Sequence, residues 1–259
     1  FKQKTAYEIY QCDWSSDVCS SDLGYDDRGR KQYRYHPDYR ARQEEEKFAR
    51  CANFGEALPR LRRHVAADLR RRALGRDRAV AAVVRLLDEG KLRIGNSQYA
   101  RTNGSYGAST LLRRHVKTHG HRLHLRFRAK SGKERNLRVD DNSLYRFVRD
   151  VSDLPGQHLF QYVDEAGGVH VVGSHEVNTY IREAMGADFT AKHFRTFAAS
   201  VIAFSRLVEA DLPVTIKQMV EPVAEALGNT PTIARQSYVH PRLFALCGLP
   251  VEEMKSRLL

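Results

Sequence analysis

Five residues of this 259-residue chain could together perform phosphoryl transfer: Arg93, Lys130, Arg195, Asn229 and Tyr238. A tyrosine phenol has an ordinary pKa of about 10. It becomes a nucleophile near neutral pH only where positive charge stands beside it. An arginine offers a rigid fork of donors that stays charged, so two of them can hold the non-bridging oxygens of a phosphoryl group as charge builds there. A lysine can protonate the departing oxygen, and an asparagine adds one neutral donor. Each residue taken alone has a plainer role, an ion pair for either arginine and core packing for the tyrosine. Lys133 lies on the same hairpin as Lys130, so residue type alone leaves both open as the acid.

The elements that must position these residues are legible around them. Gly228-Asn229-Thr230-Pro231 reads as a turn opening a short helix, with Thr230 as N-cap and Pro231 at the first helical position. That helix carries the chain from Pro231 to Tyr238. Further helices are expected at Asn142 to Val151, Ser174 to Met185, Phe189 to Val208 and Val214 to Leu227, the last with the stripe Ile216, Val220, Val223, Leu227. Residues 41–90 also read as helical. A stripe of Phe48, Cys51, Phe54 and Leu58 closes at Pro59, an arginine-dense stretch follows to about Leu74, and Val80, Val83, Val84 and Leu87 form a core stripe ending at Gly90. Residues 91–139 change character. Leu92, Ile94, Leu111, Val116, Leu123, Leu125, Phe127, Leu137 and Val139 lie in short segments divided by Gly and Asn, predicting three or four antiparallel strands with Lys130-Ser131-Gly132-Lys133 at a hairpin tip. Lys31 to His36 alternates as a strand, with Gln32, Arg34 and His36 on one face and Tyr33 and Tyr35 on the other. The fold class is therefore α+β, mainly α: a helical domain with a small antiparallel sheet.

Charge points to a polyanion. The chain has 43 Lys+Arg against 31 Asp+Glu, a formal +12, as expected of a nucleic-acid partner. Four cysteines (Cys12, Cys19, Cys51, Cys247) form neither a zinc pattern nor a disulfide framework, which fits a reducing cytosol. No apolar run reaches membrane-spanning length. Residues 1–23 read as the in-frame translation of a sequencing-library adapter, in two blocks, Lys2 to Ile9 and Asp13 to Leu23, split by a short index. They are set aside from the fold, with the authentic N-terminus expected to be lost. They hold Lys2 and Lys4 against Glu8, Asp13, Asp17 and Asp22, so residues 24–259 carry +14.

The order and spacing of these residues resemble the type IB DNA topoisomerases of the small bacterial and poxvirus kind, whose catalytic domain shares its fold with the tyrosine recombinases. Arg28 to Tyr35 is similar to that family's DNA-contacting N-terminal strand. Arg93-Ile94-Gly95 with Tyr99, Lys192-His193-Phe194-Arg195-Thr196, and Gly228-Asn229-Thr230-Pro231 with Tyr238 match its three catalytic motifs. The chain departs from the pattern at Asn229, where the poxvirus enzymes have His, and at Ala129, where Gly is usual. The resemblance implies a remnant of the N-terminal β domain at 24–40 and a catalytic domain at 41–259. It also implies relaxation of supercoiled double-stranded DNA through a 3′-phosphotyrosyl intermediate, with neither ATP nor metal. Tyr238, Arg93, Lys130, Arg195 and Asn229 would be catalytic, and Gln32, Tyr33, Tyr35, Tyr99 and Lys192 would contact DNA. The enzyme would act as a monomeric clamp, closed by the largely missing N-terminal domain, in a bacterial cytoplasm on the nucleoid. Two alternatives are a tyrosine recombinase or integrase, and a DNA-binding fragment impaired in catalysis. Recombinases usually carry His three residues before the second arginine, where this chain has Lys192, although Tyr238-Val239-His240 is recombinase-like.

Overall fold

The computed structural model describes the backbone of residues 21–25 and 31–258, and the side chains of residues 36 and 42–257. The adapter-like reading of residues 1–20 lies outside the described residues. The chain forms two compact units, residues 1–50 and 51–259. In the first, β1 (Ser21–Tyr25) and β2 (Lys31–Tyr35) pair antiparallel, with Leu23 opposite Tyr33. β2 is the strand its alternation predicts. β1 begins at Ser21, inside the segment set aside on sequence grounds.

Helix α1 (Pro37–Leu69) begins in the first unit and continues into the second. It passes through Pro59 instead of ending there. Proline removes one helical hydrogen bond, but Phe54, Leu58, Leu61, Val65 and Leu69 form a buried stripe on both sides of it. Packing of that face offsets the break. The arginines that follow only partly form a free basic face. Arg62 pairs with Asp88 at 2.8 Å, Arg71 with Asp68 at 2.8 Å and Asp77 at 3.0 Å, and the buried Arg78 with Asp150 at 2.6 Å. Arg60, Arg63, Arg70 and Arg72 stay exposed.

Helix α2 (Arg76–Gly90) buries Val80, Val83, Val84 and Leu87 as its periodicity predicts. After α3 (Ser97–Asn103) comes a sheet of β3 (Val116–His119), β4 (Arg122–Arg128) and β5 (Glu134–Val139), antiparallel in that order. Leu123, Leu125 and Phe127 turn to the core while Arg122, Arg126 and Arg128 face solvent, the period-2 pattern of a one-sided sheet. Leu92 and Ile94 are not in a strand. Their segment is held instead by Ala108 N–H donating to Arg93 O (2.9 Å) and Ser109 N–H to Ile94 O (2.8 Å).

The remaining elements are α4 (Asn142–Asp150), the hairpin β6 (Gln161–Val163) and β7 (Val169–Val171), α5 (Ser174–Met185), α6 (Ala191–Val208), α7 (Ile216–Leu227), α8 (Pro231–Ser237) and α9 (Val251–Leu258). The five helices predicted after residue 141 are present within one or two residues at each end; α3, β6, β7 and α9 carry too little periodicity to be read in advance. Two apolar cores result. One gathers α1, α2, the sheet, α4 and α5; the other gathers the end of α6 with α7, α8 and the C-terminal segment. Helix α6 belongs to both, with Phe194 in the first and Ala199 in the second. Arg195 follows Phe194 directly, so it sits where the cores meet. Among the described residues no helix is long and apolar enough to cross a membrane.

Candidate active site

Each reactive side chain is placed by a specific local device. Arg93 leaves the end of α2 through Lys91, which adopts left-handed backbone (φ 51°). The segment is then clamped by Gly107, where a Cβ would come within 2.6 Å of Arg93 O and 2.5 Å of Gly95 N. Only glycine permits so close a backbone crossing. In the second motif the helical period divides the labour. Lys192 points to solvent, while His193 and Phe194 are buried against Phe54, at ring-centroid distances of 5.9 and 5.1 Å. Arg195 turns to the site and is 3% exposed. Thr230 caps α8, accepting from Ile233 N–H at 3.3 Å, and Tyr238 ends that helix, its N–H donating to Ala234 O at 3.1 Å.

These devices bring four residues together from positions up to 145 apart in the sequence. Asn229 Oδ1 accepts from Arg93 Nη2 at 3.0 Å and from Arg195 Nη2 at 3.2 Å. Arg93 Nη2 also reaches Tyr238 Oη at 3.5 Å. The Arg195 guanidinium lies over the Tyr238 ring, 5.0 Å from its centroid, and donates to Lys91 O and Leu227 O, the latter at 3.1 Å. Asn229 Nδ2 is buried and has no hydrogen-bond partner among the described residues. With its oxygen shared by both arginines, the amide keeps two N–H donors unused, which an incoming oxyanion would satisfy.

The electrostatics suit an activated phenol. Burial opposes ionisation of Tyr238 most strongly, but the charges of Arg195 and Arg93 more than offset it, and the phenol pKa falls below its ordinary value. Burial, then repulsion from Arg93, brings Arg195 down to about 10, still fully charged at neutral pH. Among the described residues the site concentrates positive charge around a tyrosine oxygen, as a nucleophile attacking a phosphate diester needs.

The comparisons with known proteins agree with that chemistry. Residues 36–242 match the family model of the eukaryotic DNA topoisomerase I catalytic core. A DNA topoisomerase 1B of Acanthamoeba polyphaga mimivirus is 32% identical over 231 residues, covering 84% of this chain and 69% of the viral protein. The chain belongs to the type IB DNA topoisomerases. It is a DNA topoisomerase in function, an isomerase of DNA topology, and the recombinase alternative gives way to that family.

Other expected residues of the topoisomerase stand apart from the cluster. Lys130 and Lys133 are both exposed at the β4–β5 turn, and among the described residues neither has a side-chain hydrogen bond or ion pair. Ser131 between them has left-handed backbone (φ 63°). Tyr99 is 57% exposed on α3, whose first turn is capped by Asn96 Oδ1 accepting from Gln98 N–H and Tyr99 N–H. Lys192 is exposed at the start of α6. Gln32, Tyr33 and Tyr35 lie on β2, and their side chains are outside the described residues.

Two neighbours of the cluster escape sequence reasoning. Ser200, one turn beyond Thr196 on α6 and 8% exposed, has its Oγ 3.1 Å from His240 N, which donates to it, and 3.5 Å from Tyr238 O. Arg135 on β5 reaches the C-terminal carbonyls of α7. A small polar residue in a helix and an arginine in a strand are each too common to single out. Inward-facing Arg135, in phase with Leu137 and Val139, was the one available signal.

Proposed function

We propose that Tyr238 attacks a DNA backbone phosphate and becomes joined to the 3′ end of the nicked strand, leaving a free 5′ hydroxyl. The strand then rotates, and the 5′ hydroxyl reverses the step. The observation that carries this reading is the shared acceptor Asn229 Oδ1, which aligns Arg93 and Arg195 on the Tyr238 hydroxyl and leaves Asn229 Nδ2 free. The arginines neutralise the non-bridging oxygens in the transition state and Asn229 donates one more bond. Tyr238 releases its phenol proton to solvent as its oxygen bonds to phosphorus, the bond between phosphorus and the 5′ oxygen breaks, and Lys130 donates the proton that the 5′ oxygen takes. In this reading Arg and Lys supply the positive charge, and the energy of the broken diester is held in the phosphotyrosyl bond, so neither metal nor ATP takes part. Relaxation of a supercoiled plasmid in EDTA without nucleotide tests it; a requirement for either would contradict it.

Lys130→Ala should slow cleavage by on the order of 10²–10⁴ and recover on a 5′-bridging phosphorothiolate, whose leaving group needs no proton. Recovery by Lys133→Ala instead would move the acid by three residues.

We assign Gln32, Tyr33, Tyr35, Tyr99 and Lys192 to DNA contact. Tyr99 and Lys192 are supported by their exposure, and the β2 residues by their alternation of tyrosine with polar and basic side chains. Residues 24–40 would belong to an N-terminal domain that closes a monomeric clamp over DNA, with 41–259 as the catalytic domain. The free Cys51 and Cys247 suit a reducing cytoplasmic compartment. The +14 balance predicts binding that weakens with salt, with a log–log slope of several units. The internal pairing of Arg62, Arg71 and Arg78 predicts that their replacement changes this slope little, whereas Arg63→Ala with Arg70→Ala lowers it. A titration in KCl measures both.

A further inference from the structure

Arg135 stands where three parts of the site meet. It lies on β5, on the strand that returns from the turn carrying Lys130. Alternation sends Glu134, Asn136 and Arg138 to solvent and turns Arg135, Leu137 and Val139 inward. An inward guanidinium needs acceptors. Here they are the last carbonyls of α7: Nη1 donates to Glu225 O at 3.2 Å and Nη2 to Ala226 O at 2.9 Å. Arg195 takes the next carbonyl, Leu227 O. Helix ends leave such carbonyls short of partners, although Glu225 O also accepts from Gly228 N–H at 3.1 Å, and a cation there meets the negative end of the helix dipole.

The turn beyond α7 is shaped around this contact. Gly228 has φ +63°, and a Cβ there would fall 2.5 Å from Arg135 Nη1 and 2.8 Å from its Cδ. Any side chain would push the guanidinium away. Asn229, the residue shared by Arg93 and Arg195, follows at once. Burial, then the charge of Arg93, lowers the pKa of Arg135, which places it within electrostatic reach of the cluster.

The geometry points to Arg135 as a positioning residue that fastens the Lys130 turn to the Asn229 turn, holding the leaving-group acid and the transition-state clamp in one frame. One donor on each Nη is fixed by these carbonyls, which ties the guanidinium to the end of α7, so it acts through Lys130 and Asn229. The inference rests on the reading of Lys130 as general acid.

Single-turnover cleavage of an ordinary DNA substrate and of its 5′-bridging phosphorothiolate counterpart tests this in four proteins: the unmodified chain, Lys130→Ala, Arg135→Ala and Arg135→Lys. Arg135→Ala should slow cleavage of the ordinary substrate by on the order of 10²-fold, the cost of a misplaced catalytic group, with its Kd for uncleaved DNA unchanged. The phosphorothiolate should restore most of that loss, as it does for Lys130→Ala. Arg135→Lys can reach one carbonyl but not span two, so it should fall between; it also carries the test if Arg135→Ala does not fold. If Lys130→Ala recovers on the phosphorothiolate and neither Arg135 variant does, Arg135 does not act through the acid and the inference is overturned. A loss of DNA affinity matching the loss of rate would overturn it as well, since that marks a general structural role. If Lys130→Ala itself fails to recover, the acid assignment falls first and this inference with it.

Discussion

Tyr238→Phe should abolish plasmid relaxation and covalent adduct formation while leaving non-covalent DNA binding nearly intact. Deleting a covalent nucleophile elsewhere costs on the order of 10⁶ in rate, and a loss of that order would put cleavage below detection. The selectivity of the effect follows from the local packing. The hydroxyl meets only the two arginines, Arg93 Nη2 at 3.5 Å and Arg195. The ring, by contrast, is held under Arg195 at 5.0 Å and stays there in phenylalanine. Ala234 of α8 and the following Val239 are buried in the second core, against which the Tyr238 ring packs, and phenylalanine keeps that ring. A gel-shift titration beside a relaxation assay reads both outcomes. Equal loss of binding and cleavage would mean that the ring had moved.

Arg195→Ala should slow cleavage and religation by the same factor, on the order of 10²–10³. Both directions pass through one transition state, so the equilibrium fraction of cleaved complex should hardly change. A second consequence is structural. Arg195 is 3% exposed and donates to Lys91 O and Leu227 O. Its removal leaves these carbonyls short of a partner at a cost of about 1–3 kcal/mol, so the melting temperature should fall. Arg195→Lys keeps the charge but not the fork; it should recover part of the stability and little of the rate. Rapid-quench cleavage and religation with thermal melting separate the two effects. A changed cleavage equilibrium would show that Arg195 favours one ground state over the other.

Much of this site could be read before the fold was known, for physical reasons that differ by residue. Tyr238 and Asn229 were legible because a Thr-Pro helix start fixes their separation locally. Arg195 was legible as one face of an amphipathic helix whose other face, His193 and Phe194, packs on Phe54. Arg93 sits in irregular backbone, and only its motif revealed it; its placement depends on the Gly107 crossing, a long-range contact with no local signal. The passage of α1 through Pro59 was hidden because burial on both sides overrode a local breaker. The hairpin of β6 and β7, three residues per strand, is too short for alternation to register. Ser200 was invisible for the same reason as the Gly107 crossing, and Arg135 showed only its inward phase: their partners, the His240 N–H and the α7 carbonyls, are assembled by tertiary structure alone.

The central claim is that one oxygen, on Tyr238, becomes bonded to the 3′ phosphate of the broken strand. Trapping the covalent complex on a nicked or suicide substrate, digesting the protein and identifying the DNA-linked peptide by mass spectrometry measures it directly. The account predicts a single linked peptide containing Tyr238, attached through the 3′ phosphate, with a 5′ hydroxyl that a polynucleotide kinase can label. Attachment through another tyrosine, linkage to the 5′ end, or an adduct that survives Tyr238→Phe would contradict it.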